Sequence, residues 1–149
     1  PVAELVKYLS LGKAQSLINE FEDAIIIAAD TVVALNGEVL GKPHTPERAV
    51  EILKLLSGQP HSVFTGVSIV DSKNGNIVQR AVESQIFFKD ISDKTIEEYV
   101  ATGDPLDKAG AYGIQGKAGD FIEKIEGSYD NIVGLPIDTL IEMLKEFDI

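Results

Sequence analysis

The stretch from Ala24 to Pro43, AIIIAADTVVALNGEVLGKP, sets the terms for any fold this chain adopts. From Ala24 to Leu35 every residue except Asp30 and Thr31 is Ala, Val, Ile or Leu. Such an aliphatic run reads as a strand buried on both faces. Asp30 interrupts it, and a carboxylate there is costly unless it is paired, hydrated or bound to a metal. Either it is satisfied locally, as at a bulge or strand end where it caps nearby amides, or it is used. In use it binds a divalent metal or activates a water, since hard cations prefer oxygen ligands. Asn36-Gly37 has the residues of a two-residue hairpin turn, and Gly41-Lys42-Pro43 ends the return strand with a cation. A carboxylate and an ammonium on neighbouring strands suit a metal-bound, phosphate-bearing ligand.

Composition bears on which ligands are admissible. The 149 residues suit one domain with a real core, or two small lobes sharing one. At 44% hydrophobic and 25% charged, the chain has a globular profile. A formal charge of −11 argues against long DNA or RNA held on a general basic surface. It leaves room for a small polyanion met by a few lysines and a divalent cation. With no cysteine, there is no disulfide, zinc–thiolate site or thiol nucleophile. His44 and His61 match no metal spacing and read as surface or loop residues. No apolar run reaches membrane-spanning length and no signal peptide is visible, so a soluble cytoplasmic protein is the default.

Along the chain, Val2 to Phe21 reads as an amphipathic helix with Val6, Leu9, Ala14, Leu17 and Ile18 on one side. Thr45-Pro46-Glu47 is a helix start, with Thr45 as N-cap and Pro46 at the first helical position. Ala49, Val50, Leu53 and Leu56 supply its apolar face, and Ser57-Gly58 stops it. Ser62 to Asp71 and Ile77 to Phe88 read as long strands joined through Lys73-Asn74-Gly75-Asn76. In the second, Val82, Ser84, Ile86 and Phe88 alternate with Ala81, Glu83, Gln85 and Phe87. Ser92 opens a helix over Asp93 to Ala101, closed by Thr102-Gly103. Phe121 to Ile125 reads as a short strand, and Pro136 starts a last helix with Ile137, Leu140, Ile141 and Leu144 as its apolar side.

Gly103 to Gly119 is glycine-rich, lacks strong periodicity and reads as a loop region where binding groups often sit. Gly110, Gly113, Gly116 and Gly119 fall every third residue, without the prolines of a collagen repeat. This stretch is either a compact loop with Tyr112 packed beneath it or a ligand wall. In the second case, glycines let backbone amides approach the ligand and Gln115 exchanges hydrogen bonds with a base edge. Lys42 is otherwise an exposed turn lysine, and Lys13 a solvated helix charge. Neither Gly41-Lys42 nor Gly116-Lys117 completes a P-loop, and no Gly-x-Gly-x-x-Gly occurs between a strand and a helix.

Four blocks together resemble the Maf family of nucleotide pyrophosphatases: Ala29 to Pro43, Leu55 to Val70, Tyr99 to Gly116, and Asn131 to Pro136. They occur in the family's order and span most of the chain, from Ala29 to Pro136. The resemblance implies a mixed α/β fold of the Maf and inosine-triphosphatase kind: a long twisted sheet flanked by helices, with a cleft between two lobes. It implies hydrolysis of a nucleoside triphosphate to the monophosphate and pyrophosphate with a divalent metal, Mg2+ or Mn2+. Asp30 matches the family's catalytic acid, the proton acceptor, and is the residue through which a metal would be held. Lys13 and Lys42 match lysines around the phosphates, and Thr31 and Gln115 match positions tied to substrate choice. Gln115 in its Gly-Ile-Gln-Gly setting is similar to the branch acting on dTTP and UTP. The branch acting on methylated GTP carries an acid there.

The family opens with a strand and a Ser-x-Ser-Pro-Arg-Arg loop, whereas this chain begins Pro1-Val2-Ala3 in a helical pattern. The expectation is one Maf-like domain over residues 1–149 without that strand and loop. The competing class is a non-catalytic nucleotide-binding regulator of the septum-formation-inhibitor type. A third is a phosphatase that clears damaged purine triphosphates. The expected partner is the triphosphate alone, with no nucleic acid polymer and no membrane. The family also implies a homodimer, although no stretch of the sequence marks an interface.

Overall fold

A computed structural model describes residues Pro1–Ile149. Five strands form one sheet: β1 (Ile25–Leu35), β2 (Glu38–Leu40), β3 (Pro60–Asp71), β4 (Ile77–Phe88) and β5 (Ile122–Glu126). Their order is β2-β1-β3-β4-β5. Five helices accompany them: α1 (Val2–Gln15), α2 (Pro46–Leu56), α3 (Asp93–Ala101), α4 (Tyr129–Val133) and α5 (Ile137–Lys145). The fold is therefore mixed α/β, as expected.

Local chemistry explains most boundaries. Asn36 and Gly37 both have positive φ, as a type I′ turn requires, so β1 and β2 pair antiparallel with Leu35 opposite Glu38. Thr45 accepts from the Arg48 amide at 3.2 Å, and Ser92 from the Thr95 amide at 3.1 Å, fixing the starts of α2 and α3. β4 and β5 pair antiparallel, with a register shift at Phe87 and Phe88.

The chain divides into two compact units. The first comprises Pro1–Thr31, Phe64–Glu83 and Ser128–Ile149. Within it, successive β1 residues serve opposite faces. Ala24, Ile26 and Ala28 pack with Val70 against Leu11, Ala14 and Ile18. Ile25 and Ala29 pack with Val67 and Ile69 against Leu135, Leu140, Met143 and Leu144. Helix α1 thus covers one face and α5 the other. Val6, Ser10 and Ala14, spaced four apart, are the buried line of α1. Ser10 Oγ meets Ser68 Oγ at 2.7 Å, and a Cβ on Gly66 would lie 2.1 Å from the Val6 carbonyl oxygen. Only glycine lets α1 lie this close to β3.

The second unit comprises Val32–Val63 and Ser84–Gly127. Here α2 packs on α3, with Ile52, Leu53, Leu56 and Ile96 fully or almost fully buried. Ser84, Ile86 and Phe88 are buried on β4 while Glu83 and Gln85 are exposed, the alternation read from the sequence.

Four readings change. Strand β1 is buried at consecutive positions only over Val32, Val33 and Ala34, and Ile27 is 44% exposed. Helix α1 ends at Gln15, not Phe21: Ser16 Oγ donates to the Lys13 carbonyl at 2.7 Å, and i to i+3 turns take over. Leu17 is consequently exposed. On α5, Leu140, Met143 and Leu144 face the core with Phe147, whereas Ile137 and Ile141 are exposed. Finally, Asp104–Asp107, Ala109–Ala111 and Lys117–Phe121 form short 3-10 helices inside the expected loop.

Candidate functional site

Lys13 lies in the last turn of α1, one residue before buried Ala14, so the helix seam fixes its backbone against β1. Its Nζ donates to Asp30 Oδ1 at 2.5 Å and to the Ala29 carbonyl at 3.3 Å. Asp30 is 20% exposed at its side chain and Lys13 57%. The acid that breaks the aliphatic strand is thus paired rather than sealed, and its second oxygen has no protein partner. An ammonium has three N–H donors, so Lys13 keeps one for a ligand.

Thr31 falls on the other face of β1, with Ile25 and Ala29. Its Oγ1 lies 2.8 Å from Thr65 Oγ1, and Thr65 Oγ1 donates to the Asn131 carbonyl at 3.0 Å. Thr65 and Asn131 are fully buried. Asp30 and Thr31, adjacent in sequence, therefore address different sides of the strand.

Lys42 and Gln115 belong to the second unit, and both are exposed. The loop carrying Lys42 is held on either side. Gly110 N donates to the Gly41 carbonyl at 3.3 Å, and His44 N to the Leu106 carbonyl at 3.0 Å. Gly110 has φ +70, and a Cβ there would lie 2.8 Å from a methyl of Val33, so the loop needs glycine to pass. The three-residue glycine spacing has a backbone cause. Gly116 N donates to the Gly113 carbonyl at 3.2 Å, and Gly119 N to the Gly116 carbonyl at 3.0 Å. Gln115 sits at the third position of the first of these turns. Thus Lys13, Asp30 and Thr31 gather in one unit, while Lys42 and Gln115 lie in the other.

Below that loop, His61 is 3% exposed on β3, contrary to the surface or loop position expected. Its Nε2 lies 2.6 Å from Tyr112 Oη, and its Nδ1 has no hydrogen-bond partner. Edge-to-face contacts with Phe88 and Tyr112 complete its surroundings. Burial lowers its pKa to about 4 and raises that of Tyr112, so both are neutral near pH 7. The Gly113 backbone bonds the Tyr99 hydroxyl, whose pKa burial raises. Tyr112 and Tyr99 thus pin the backbone just before Gln115. Tyr99 and Lys117 line a groove of about 660 Å3, with Ser92, Thr95 and Phe121 among its other walls. Sequence reasoning missed Thr65, Tyr99 and the burial of His61, since none carries a local pattern.

No three His, Asp or Glu side chains gather to hold a metal. Asp30 supplies one carboxylate, half engaged by Lys13. That donor set does not make a protein-built cage, but it fits Mg2+, which keeps waters and is held by one or two carboxylates plus substrate phosphates. No helix is long and apolar enough to cross a membrane.

The fold is a mixed α/β sheet bearing a paired aspartate and a glycine-rich loop. The family model for Maf-like protein matches residues 1–147, and the chain belongs to the Maf family. It is 49% identical over 144 residues to a dTTP/UTP pyrophosphatase of Dictyoglomus turgidum, covering 97% of this chain and 75% of that protein. It is also 49% identical over 142 residues to a dTTP/UTP pyrophosphatase of Clostridium beijerinckii, covering 95% and 76%. With a dTTP/UTP pyrophosphatase of Clostridium tetani it shares 49% identity over 149 residues, covering 99% and 78%.

Proposed function

We propose that the protein hydrolyses nucleoside triphosphates, dTTP and UTP foremost, to the nucleoside monophosphate and pyrophosphate. The 49% identity to dTTP/UTP pyrophosphatases across nearly the whole chain carries this reading. The Lys13–Asp30 ion pair supports a reading in which Asp30 is the proton acceptor. Lys13 holds Asp30 Oδ1 and leaves Oδ2 to take a proton from the attacking water. The water oxygen bonds to the α-phosphorus, and the bond from that phosphorus to the leaving pyrophosphate breaks. Lys42 and the remaining N–H of Lys13 offset charge on the phosphates. Thr31 and Gln115 meet the substrate away from the reacting phosphorus and set its choice. A divalent cation, Mg2+ or Mn2+, would be held by Asp30 together with the phosphates and would neutralise triphosphate charge. The same reading takes residues 1–149 as one Maf-like domain, in keeping with the family match over residues 1–147, and the enzyme as a soluble cytoplasmic homodimer.

Pyrophosphate release from dTTP and UTP with Mg2+ tests this directly. Asp30→Asn should lower kcat by about a hundredfold or more, the usual scale for a lost general base. A variant that keeps its rate removes Asp30 from the chemistry. Saturable nucleotide binding by the wild type without product would favour a binding protein instead. Gln115→Glu should reorder dTTP, UTP and the purine triphosphates in kcat/KM, and an unchanged ranking would free Gln115 of a role in selection.

A further inference from the structure

The hydrogen bonds behind Thr31 have a direction that proton counting settles. Thr65 Oγ1 lies 3.0 Å from the Asn131 carbonyl oxygen and 2.8 Å from Thr31 Oγ1. A carbonyl only accepts, so the single Thr65 proton goes to Asn131. Thr31 must then donate to Thr65. The Gly134 amide, shared with the Asp130 carbonyl, also donates to the Asn131 carbonyl at 3.1 Å. Thr31 spends its one proton inwards and offers only lone pairs outwards. We infer that Thr65, backed by the Asn131 carbonyl, makes Thr31 an obligate acceptor, and that the ligand group Thr31 meets is an N–H or O–H donor rather than a phosphate oxygen.

Two further observations fit. Thr31 is only partly buried, and a Cβ at Gly134 would come within 3.7 Å of its hydroxyl, so the missing side chain leaves that oxygen uncovered on that side. Asp30 and Lys13, with the chemistry of a phosphate site, lie on the α1 face, opposite Thr31. A phosphate oxygen at Thr31 would set lone pair against lone pair. The inference rests on the nucleotide reading above and deepens it. dTTP and UTP share two such donors, the imide N–H of the base and the 3′-hydroxyl of the sugar. Cytosine presents a lone pair where they present the imide proton, and a site built around an acceptor would reject it. Thr65 is a positioning residue in this scheme, acting through Thr31.

The test compares UTP with N3-methyl-UTP, which lacks the imide proton, and 3′-deoxy-UTP, which lacks the sugar donor. Turnover and calorimetric binding are measured for wild type, Thr31→Val, Thr65→Val and Thr65→Ser. In the wild type one analogue should lose about tenfold in kcat/KM, the scale of one hydrogen bond, and which one identifies the donor. Thr31→Val should erase that penalty. Thr65→Val should shrink it by freeing the Thr31 proton to turn outwards, and Thr65→Ser should restore it. Thr65→Val keeps the side-chain shape and leaves the Asn131 carbonyl bonded to Gly134. Should it still fail to fold, Thr31→Val carries the comparison alone. A wild type indifferent to both analogues overturns the inference, as does a penalty unchanged in Thr31→Val or an equal loss on all three nucleotides in Thr65→Val. The analogue pattern seen in binding without pyrophosphate release keeps the inference and sinks the hydrolase reading. Release with no such pattern does the reverse, and neither binding nor release sinks both.

Discussion

His61 sits inside β3 with one ring nitrogen on Tyr112 Oη and the other unpartnered, an arrangement that suits only a neutral imidazole. Desolvation sets its pKa near 4 against a usual value of 6.5. Above pH 6.5 neither the folded nor the unfolded chain carries the proton, and this group's contribution is fully present. As pH falls from 6.5 towards 4, the unfolded chain binds a proton that the folded chain refuses, so stability drops. By pH 4.5 the loss amounts to about 2–3 kcal/mol. His61→Gln removes the titrating group and can still meet Tyr112. Urea unfolding at pH 7.5 and 4.5 should therefore show a smaller acid loss in the variant than in the wild type, by about that amount. Equal acid losses in the two proteins would show that His61 is solvated after all. The same residue marks a limit of sequence reading. A histidine flanked by Pro60 and Ser62 shows nothing of Phe88 and Tyr112, distant in sequence, which enclose it.

Helix α1 brings Lys13 to Asp30, and two glycines govern how well it does so. Gly66 of β3 faces the Val6 backbone so closely that an added Cβ would lie within 2.3 Å of both its carbonyl carbon and oxygen. Backbone cannot yield as a side-chain tip can, so Gly66→Ala should lift α1 and cost about 3 kcal/mol. It should also weaken turnover, because Lys13 moves with the helix. Gly12, inside α1, has nothing within 4 Å of an added Cβ, and Gly12→Ala should stabilise by about 0.5–1 kcal/mol. Urea midpoints of the two variants should move in opposite directions, and a shared sign would refute this account of the helix seat. At this scale the sequence was largely legible. Thr45, Ser92 and Asn36-Gly37 act through their nearest neighbours, and each does what its type and position announce. The end of α1 was not legible, because Leu17 and Ile18 continue the apolar period after the Ser16 hydroxyl has taken the Lys13 carbonyl. Helix α5 misled for a related reason: Ile137, Leu140, Ile141 and Leu144 form one acceptable stripe, while Leu140, Met143, Leu144 and Phe147 form another. Only the sheet it meets selects between them. Asp30 was legible as an anomaly and Lys13 only through the family resemblance; their pairing was not, since it spans a helix end, a turn and a strand.

The whole molecule carries a net charge of −11, and the proposed substrate is itself a polyanion. The summed field opposes their approach, so local cations must overcome it. Lys13 is already half committed to Asp30, and no cluster of three acidic or histidine side chains exists to store a divalent ion beforehand. On the mechanism proposed above, the divalent ion would arrive with the nucleotide, its charge offsetting the phosphates before they meet the protein. Three measurements follow from this order of events. Purified protein after desalting should hold well under one Mg2+ or Mn2+ per chain by elemental analysis. Calorimetry with Mg2+ alone should show no binding tighter than the millimolar range, whereas Mg2+ with a non-hydrolysable dTTP analogue should bind far more strongly than either component. Excess EDTA should stop turnover within mixing time, and added Mg2+ should restore it fully, because no resident ion has to be extracted first. A stoichiometric metal that survives desalting, or turnover undiminished in EDTA, would mean that the chain builds a metal site its carboxylates do not form in this fold.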